Sequence, residues 1–332
     1  MTATLDVAHW LTFIQQEYLD SFIRDGGSSV KFVVPLDEAL RPGIENGIAE
    51  RSREAGYIVA TVSSATTRVH MMDQVFFRVA EQVPWRRLSE DVLVKLALDA
   101  GYQAPTAGSE GAMVARLAAA NNLDPAMVHM EARTWIGNQI LLEHDAVLRR
   151  QSLAKDFRVA VTQLCLAELL GGPDGETSIE VITDWLTGRN TAVSAVKPYQ
   201  IFTRITRSNA RHLLESLLLW VRYAGYAGVV IVLDIARVTI AQNPHDDLLF
   251  YSKAAMFDTY EVLRQCIDAT DRMKGCLLAV VPAPEFLDVE PYGRGMGAYD
   301  ALKFRVYDEV RDQRLVNPLG ALVRISAQGG VV

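Results

Sequence analysis

Val229-Val230-Ile231-Val232-Leu233-Asp234 is the stretch whose reading decides the fold. Its five aliphatic residues are apolar on both faces, as a strand buried between two helical layers of a parallel sheet must be. Upstream, Ala210, Leu213, Leu214, Leu217, Leu218, Val221 and Ala224 recur at helical spacing, with Arg207, Arg211, Glu215 and Arg222 on the opposite side. Gly225 closes that helix. A helix, a tight turn and a buried strand ending in a carboxylate form one unit of an α/β sheet.

The same texture extends in both directions. Val30 to Val34 and Tyr57 to Val62 are short β-branched runs, separated by a helical pattern (Ile44, Ile48, Arg51, Ala55) that Gly56 ends. After the second run, Met72, Val75, Phe76, Val79 and Val83 make one helical stripe. Downstream, the patterns predict a helix over 251–267, a strand over 276–281, a helix over 298–310 and a strand over 321–325. Residues 8–24 place Trp10, Phe13, Ile14, Tyr18 and Leu19 at helical spacing, so the chain opens on an amphipathic helix. Between Trp85 and Gly188 the runs turn Ala- and Leu-rich and strands vanish. The expected organisation is therefore an N-terminal helix (1–24), a first part of an α/β core (25–84), a helical insertion (85–189) and a second part of the core (190–332).

Composition narrows the function classes. The chain has 332 residues, half of them hydrophobic, and a formal charge of −7, which argues against nucleic-acid binding by bulk charge alone. No apolar run approaches the roughly 20 residues of a membrane helix, and the first residues do not read as a secretory signal. Cys165, Cys266 and Cys276 are isolated and show no metal or disulfide spacing. The expected compartment is the cytoplasm, with no membrane partner.

Asp234, at the end of an apolar strand, has the shape of a Walker B element, whose carboxylate holds the Mg²⁺ of a bound nucleotide. An Asp there can also simply cap the next turn. The following residue is Ile235, where an ATPase of this type places a water-activating Glu. The phosphate loop should follow the first strand, because glycines there let backbone N–H groups wrap the phosphates. Instead the stretch is Pro35-Leu36-Asp37-Glu38-Ala39-Leu40-Arg41-Pro42-Gly43. Arg41 takes the place of the motif's Lys and Pro42 that of its Ser/Thr. Two carboxylates would face a triphosphate, and two prolines supply no N–H.

Several segments resemble the P-loop ATP-binding proteins of BREX-type phage-defence loci, which are AAA+-like ATPases. They are Val30 to Val34, the Gly56 turn into Tyr57–Val62, Asp184-Trp185-Leu186-Thr187-Gly188, Leu219 to Tyr226 leading into Val229–Asp234, and Asn317-Pro318 before Leu322-Val323-Arg324. The resemblance implies an AAA+-like P-loop core with a mainly parallel sheet and a helical insertion, and a defence setting. The chain departs from such relatives in the glycine-rich loop, in the Walker B Glu and in the short stretch after the last strand.

The leading expectation is a catalytically degenerate P-loop protein, with no catalytic residue, no metal site and no cofactor, serving as a structural or regulatory subunit of a defence complex. The alternative is an ATPase subunit that holds Mg-ATP through Asp234 and Arg41 in a site completed by a partner. A third reading is a nucleic-acid-binding adaptor, contacting nucleic acid through the complex. The candidate partner or nucleic-acid contacts are two arginine clusters, Arg207 and Arg211 at the start of the strong helix and Arg305, Arg311 and Arg314 near the chain's end. Asp308, Glu309 and Asp312 interleave with the second cluster as on an ordinary salt-bridged face.

Overall fold

The computed structural model describes residues 3–106, 109–143, 145–150, 153–307, 317–327 and 330–331. The chain divides into two compact units, one formed by residues 1–82 and 227–332, the other by residues 83–226.

The first unit is built on a five-stranded, all-parallel sheet: β1 (Ser28–Pro35), β2 (Ile58–Ser63), β3 (Val229–Asp234), β4 (Cys276–Val281) and β5 (Leu322–Ile325). The strand order is β2-β3-β4-β1-β5. It matches the alternation of strands and helices in the sequence, and the predicted strand over 276–281 is reproduced residue for residue. The β3 strand lies inside the sheet, which explains why both of its faces are apolar.

Val33, Val230, Val232, Leu277, Ala279, Val281, Val323 and Ile325 share one face of the sheet. Trp10, Ile14 and Leu19 of the N-terminal helix, and Ile44 and Ile48 of the helix Arg41–Glu54, cover it. On the other face Phe32 stacks on Phe286 at 5.4 Å, and Tyr260 of the helix Lys253–Asp268 meets Phe286 edge-on. Gly56 ends the helix Arg41–Glu54 at φ +84°, in the left-handed region that favours glycine. Lys31 is buried within β1. Its ammonium donates to Tyr18 Oη at 2.6 Å and to the carbonyls of Leu319 and Gly320, so all three N–H groups have acceptors.

The second unit is helical. Helix Lys155–Leu170 packs against Trp85–Asp99 and Gly172–Thr187. Helix Ala210–Tyr223 groups with it, although its residues fall in the segment that the sequence assigns to the core: Ser216 Oγ accepts from the Ala154 N–H, and Lys95 lies over the Tyr223 ring. Met113–Asn121 and Pro125–Ile136 are two packed helices joined through Asn122, which is left-handed. Among the described residues no helix is long and apolar enough to cross a membrane.

Candidate functional site

The sheet's connections place a crevice at the carboxyl ends of β1 and β4. The chain leaves β1 across β4 and β3 to reach β2, and leaves β4 across β1 to reach β5, so two neighbouring strands send their connections in opposite directions. Open α/β sheets bind ligands at such a reversal. Register aligns the side chains there: Ser63 pairs with Asp234, and Asp234 with Val281, in one row across β2, β3 and β4.

Arg41, the first residue of its helix, reaches into this row. Its Nε donates to Glu38 Oε2 at 2.7 Å. Nη1 donates to Asp234 Oδ1 at 3.1 Å and to the Val281 carbonyl at 2.9 Å. Nη2 donates to Glu38 Oε1 and to the Pro282 carbonyl, both at 2.9 Å. A guanidinium has five N–H donors, and all five are used. The side chain is only 14% exposed, so these bonds are made largely out of water.

Asp234 is similarly enclosed. Besides Arg41 it accepts from Ser63 Oγ at 2.7 Å and from the Ala236 N–H at 2.9 Å. The structure thus brings together the two residues that the sequence singled out for a nucleotide, Arg41 and Asp234, as an ion pair. It adds two that the sequence analysis missed, Ser63 and Glu45. Glu45 lies one helical turn after Arg41, 3.7 Å from Nη1, and its buried Oε1 has no hydrogen-bond partner. Burial first, then the charge of Asp234, push the Glu45 carboxyl up to about 7 against the pull of Arg41. Burial works against the Arg41 charge too, but Glu38 and the carboxylates of Asp234 and Glu45 outweigh it and raise its pKa. A polar cleft of about 250 Å³ adjoins, lined by Glu45, Asn46, Ser63, Thr66, Arg78 and Asp234 among others.

The loop before Arg41 has several of its N–H groups already bonded. The Leu36 N–H donates to the Ile325 carbonyl, those of Ala39 and Leu40 to Asp37, and that of Arg41 to Glu38. Pro35 and Pro42 have none. What the crevice presents to an anion is the carboxylates of Glu38, Glu45 and Asp234 around a cation whose donors are taken.

The other candidates separate. Arg305 is held within its own unit, with Nε on Asp268 Oδ1 at 2.6 Å and Nη2 on Asp268 Oδ2 at 3.1 Å. Arg311 and Arg314 lie outside the described residues. Arg207 is exposed and Arg211 half-buried at the start of helix Ala210–Tyr223, in the helical unit. Among the described residues no group of His, Cys, Asp and Glu is arranged to hold a metal ion.

A family model described as BREX system ATP-binding protein BrxC/D matches residues 143–327, just over half of the chain. The match takes in β3, Asp234, β4 and β5 but not β1, the loop after it or Arg41. Neither the curated proteins nor the solved structures contain a match.

Proposed function

The chain belongs to the BREX system ATP-binding protein family of phage-defence systems, and from that premise we propose that it is a degenerate member: a structural or regulatory subunit of the defence complex that neither binds nor hydrolyses ATP. The observation that carries this reading is Arg41, whose five donors are bound to Glu38, Asp234 and two strand-end carbonyls of its own unit. An intact phosphate loop leaves its N–H groups and its cation for the ligand. Here those of Leu36, Ala39, Leu40 and Arg41 are taken, and Ile235 stands where hydrolysis needs a base. The large apolar sheet is retained without the chemistry at its strand ends, which suits a protein used for the surface its fold presents.

Calorimetry of the full chain with Mg-ATP tests the proposal. The expected result is no measurable heat at tens of micromolar protein. A micromolar dissociation constant, about −8 kcal/mol, would require donors that this crevice does not offer and would overturn the reading. Repeating the titration with the co-purified partner present separates the case of a site completed in the complex: binding that appears only then favours an ATP-binding subunit.

A further inference from the structure

Strand β2 ends the sheet on one side, paired with β3 alone. The Ile58 N–H donates to the Gly228 carbonyl at 3.0 Å and the Ser64 N–H to the Asp234 carbonyl at 2.9 Å, so residues 58, 60, 62 and 64 turn their backbone groups toward β3. By the alternation of a strand, those of Val59, Thr61 and Ser63 point to the open side. The Ser63 carbonyl is taken there by the Thr67 N–H at 2.9 Å. An open edge is a template for a further strand, and proteins blunt it with charge, proline or a covering group. Residues 57–67 contain no Asp, Glu, Lys, Arg or Pro. At Thr61 the covering group is Gln82, in the turn after helix Met72–Ala80. Its Oε1 accepts from the Thr61 N–H at 2.9 Å, and its Nε2 donates to the Thr61 carbonyl, also at 2.9 Å. Nε2 donates as well to the Arg78 carbonyl at 2.8 Å, which fixes the amide in place.

We propose that the Gln82 amide is a strand surrogate: it takes the place of a neighbouring strand's residue at the outer edge of β2 and keeps that edge from pairing with β2 of a second copy of this chain. A side-chain amide carries the same C=O and N–H as a peptide, and two bonds exchanged with one residue are the pattern of a hydrogen-bonded pair in an antiparallel ladder. The occupant this edge fits is its own copy. In an antiparallel pairing about a two-fold axis at Thr61, Thr61 lies opposite Thr61 and Val59 opposite Ser63. Thr–Thr pairs are favourable across strands, and an uncharged run meets no like charge in its copy. Arg78 and Glu81, beside Gln82, pair with each other at 2.9 Å and add no net charge. Thr61 is exposed, so the surface around it is within reach of a second chain.

Sedimentation velocity of the full chain from about 1 to about 100 μM is the test, comparing the wild type, Gln82→Ala, and Gln82→Ala with Thr61→Lys. Gln82→Ala is expected to form dimers at concentrations at least about tenfold lower than the wild type does. Adding Thr61→Lys should return the wild-type profile, because two ammonium groups then face each other at the axis. Hydrogen exchange over residues 58–63 locates the contact: in Gln82→Ala it should slow as concentration rises. Circular dichroism checks folding; if Gln82→Ala is unfolded, Gln82→Met, which keeps the length and loses both bonds to Thr61, takes its place. Equal self-association of the wild type and the folded Gln82 variant overturns the proposal. So does association that Thr61→Lys leaves unchanged, or that leaves exchange over residues 58–63 unaltered.

Discussion

At the strand ends Arg41 donates every N–H to groups of its own unit, whereas in the helical unit Phe202, Arg204 and Arg207 are turned to solvent from a pinned backbone. Both regions are charged, and both were candidates for binding phosphate. At Arg41 all five guanidinium hydrogens have acceptors within its own unit. A cation surrounded by Glu38, Glu45, Asp234 and two carbonyls has its five N–H donors bound within its own unit and contributes to the fold.

The comparison breaks most visibly at Arg41. Arg41→Ala would leave Asp234 and Glu45 facing each other in a largely buried site and the Val281 and Pro282 carbonyls without their donor. Removing one partner of a buried, hydrogen-bonded ion pair costs about 3 kcal/mol or more, and that loss is the expected result of urea denaturation. A loss below about 1 kcal/mol would mean that water already solvates these groups.

Asp234→Asn should cost less, about 1 to 2 kcal/mol, because the amide oxygen can still accept from the Ala236 N–H and the amide NH2 can donate to Ser63 Oγ, while the charge opposite Arg41 disappears. Thermal melts with and without Mg-ATP read the outcome. Nucleotide should change neither the wild type nor the variant; a wild-type stabilisation by Mg-ATP that the variant loses would instead assign Asp234 to a nucleotide.

Titration sharpens the same contrast with two slopes of opposite sign. Glu45 is raised from 4.5 to about 7, so the folded state holds a proton that the unfolded chain releases. Its contribution to stability is complete below pH 4.5 and is lost as pH rises through 7. Lys31 is lowered from 10.5 to about 8 by burial, so its contribution is lost as pH falls through 8 and is complete above 10.5. Stability should therefore decline between pH 4.5 and 7 through Glu45 and recover between pH 8 and 10.5 through Lys31. Glu45→Gln should flatten the first slope alone and Lys31→Met the second, in denaturation series across pH.

The strands were legible because burial on both faces leaves unbroken aliphatic runs, and helix Arg41–Glu54 was legible because Ile44 and Ile48 repeat at its period. The sheet order was not, since which strands pair is decided by connections as long as the helical unit. Arg41 and Asp234 were each visible as residue types at strand ends. Their pairing was not: Val281 and Pro282, which complete the set, lie 240 and 241 residues away from Arg41. Glu45 carries no motif, and its behaviour comes from burial beside Asp234. For Arg305, nearby Asp308, Glu309 and Asp312 drew attention in the sequence; among the described residues it pairs with Asp268, brought up by the packing of helix Asp300–Val306 on Lys253–Asp268.

The smallest expected effect belongs to the segment that carries Phe202 and Arg204. Arg204→Ala and Phe202→Ser should each change the unfolding free energy by no more than about 0.5 kcal/mol, because both side chains are exposed. The backbone they sit on is fixed by other groups: buried Ile201 and Ile205, the Trp185 bond to Thr203, and the Asn209 bonds to Thr206 and Arg204. Asn209→Ala supplies the contrast, because it removes two of those bonds and should cost about 1 kcal/mol or more while leaving every cation of the segment in place. Equal losses for Arg204→Ala and Asn209→Ala in one urea series would show that this arginine is part of the fold, as Arg41 is, and the distinction between the two regions would fall.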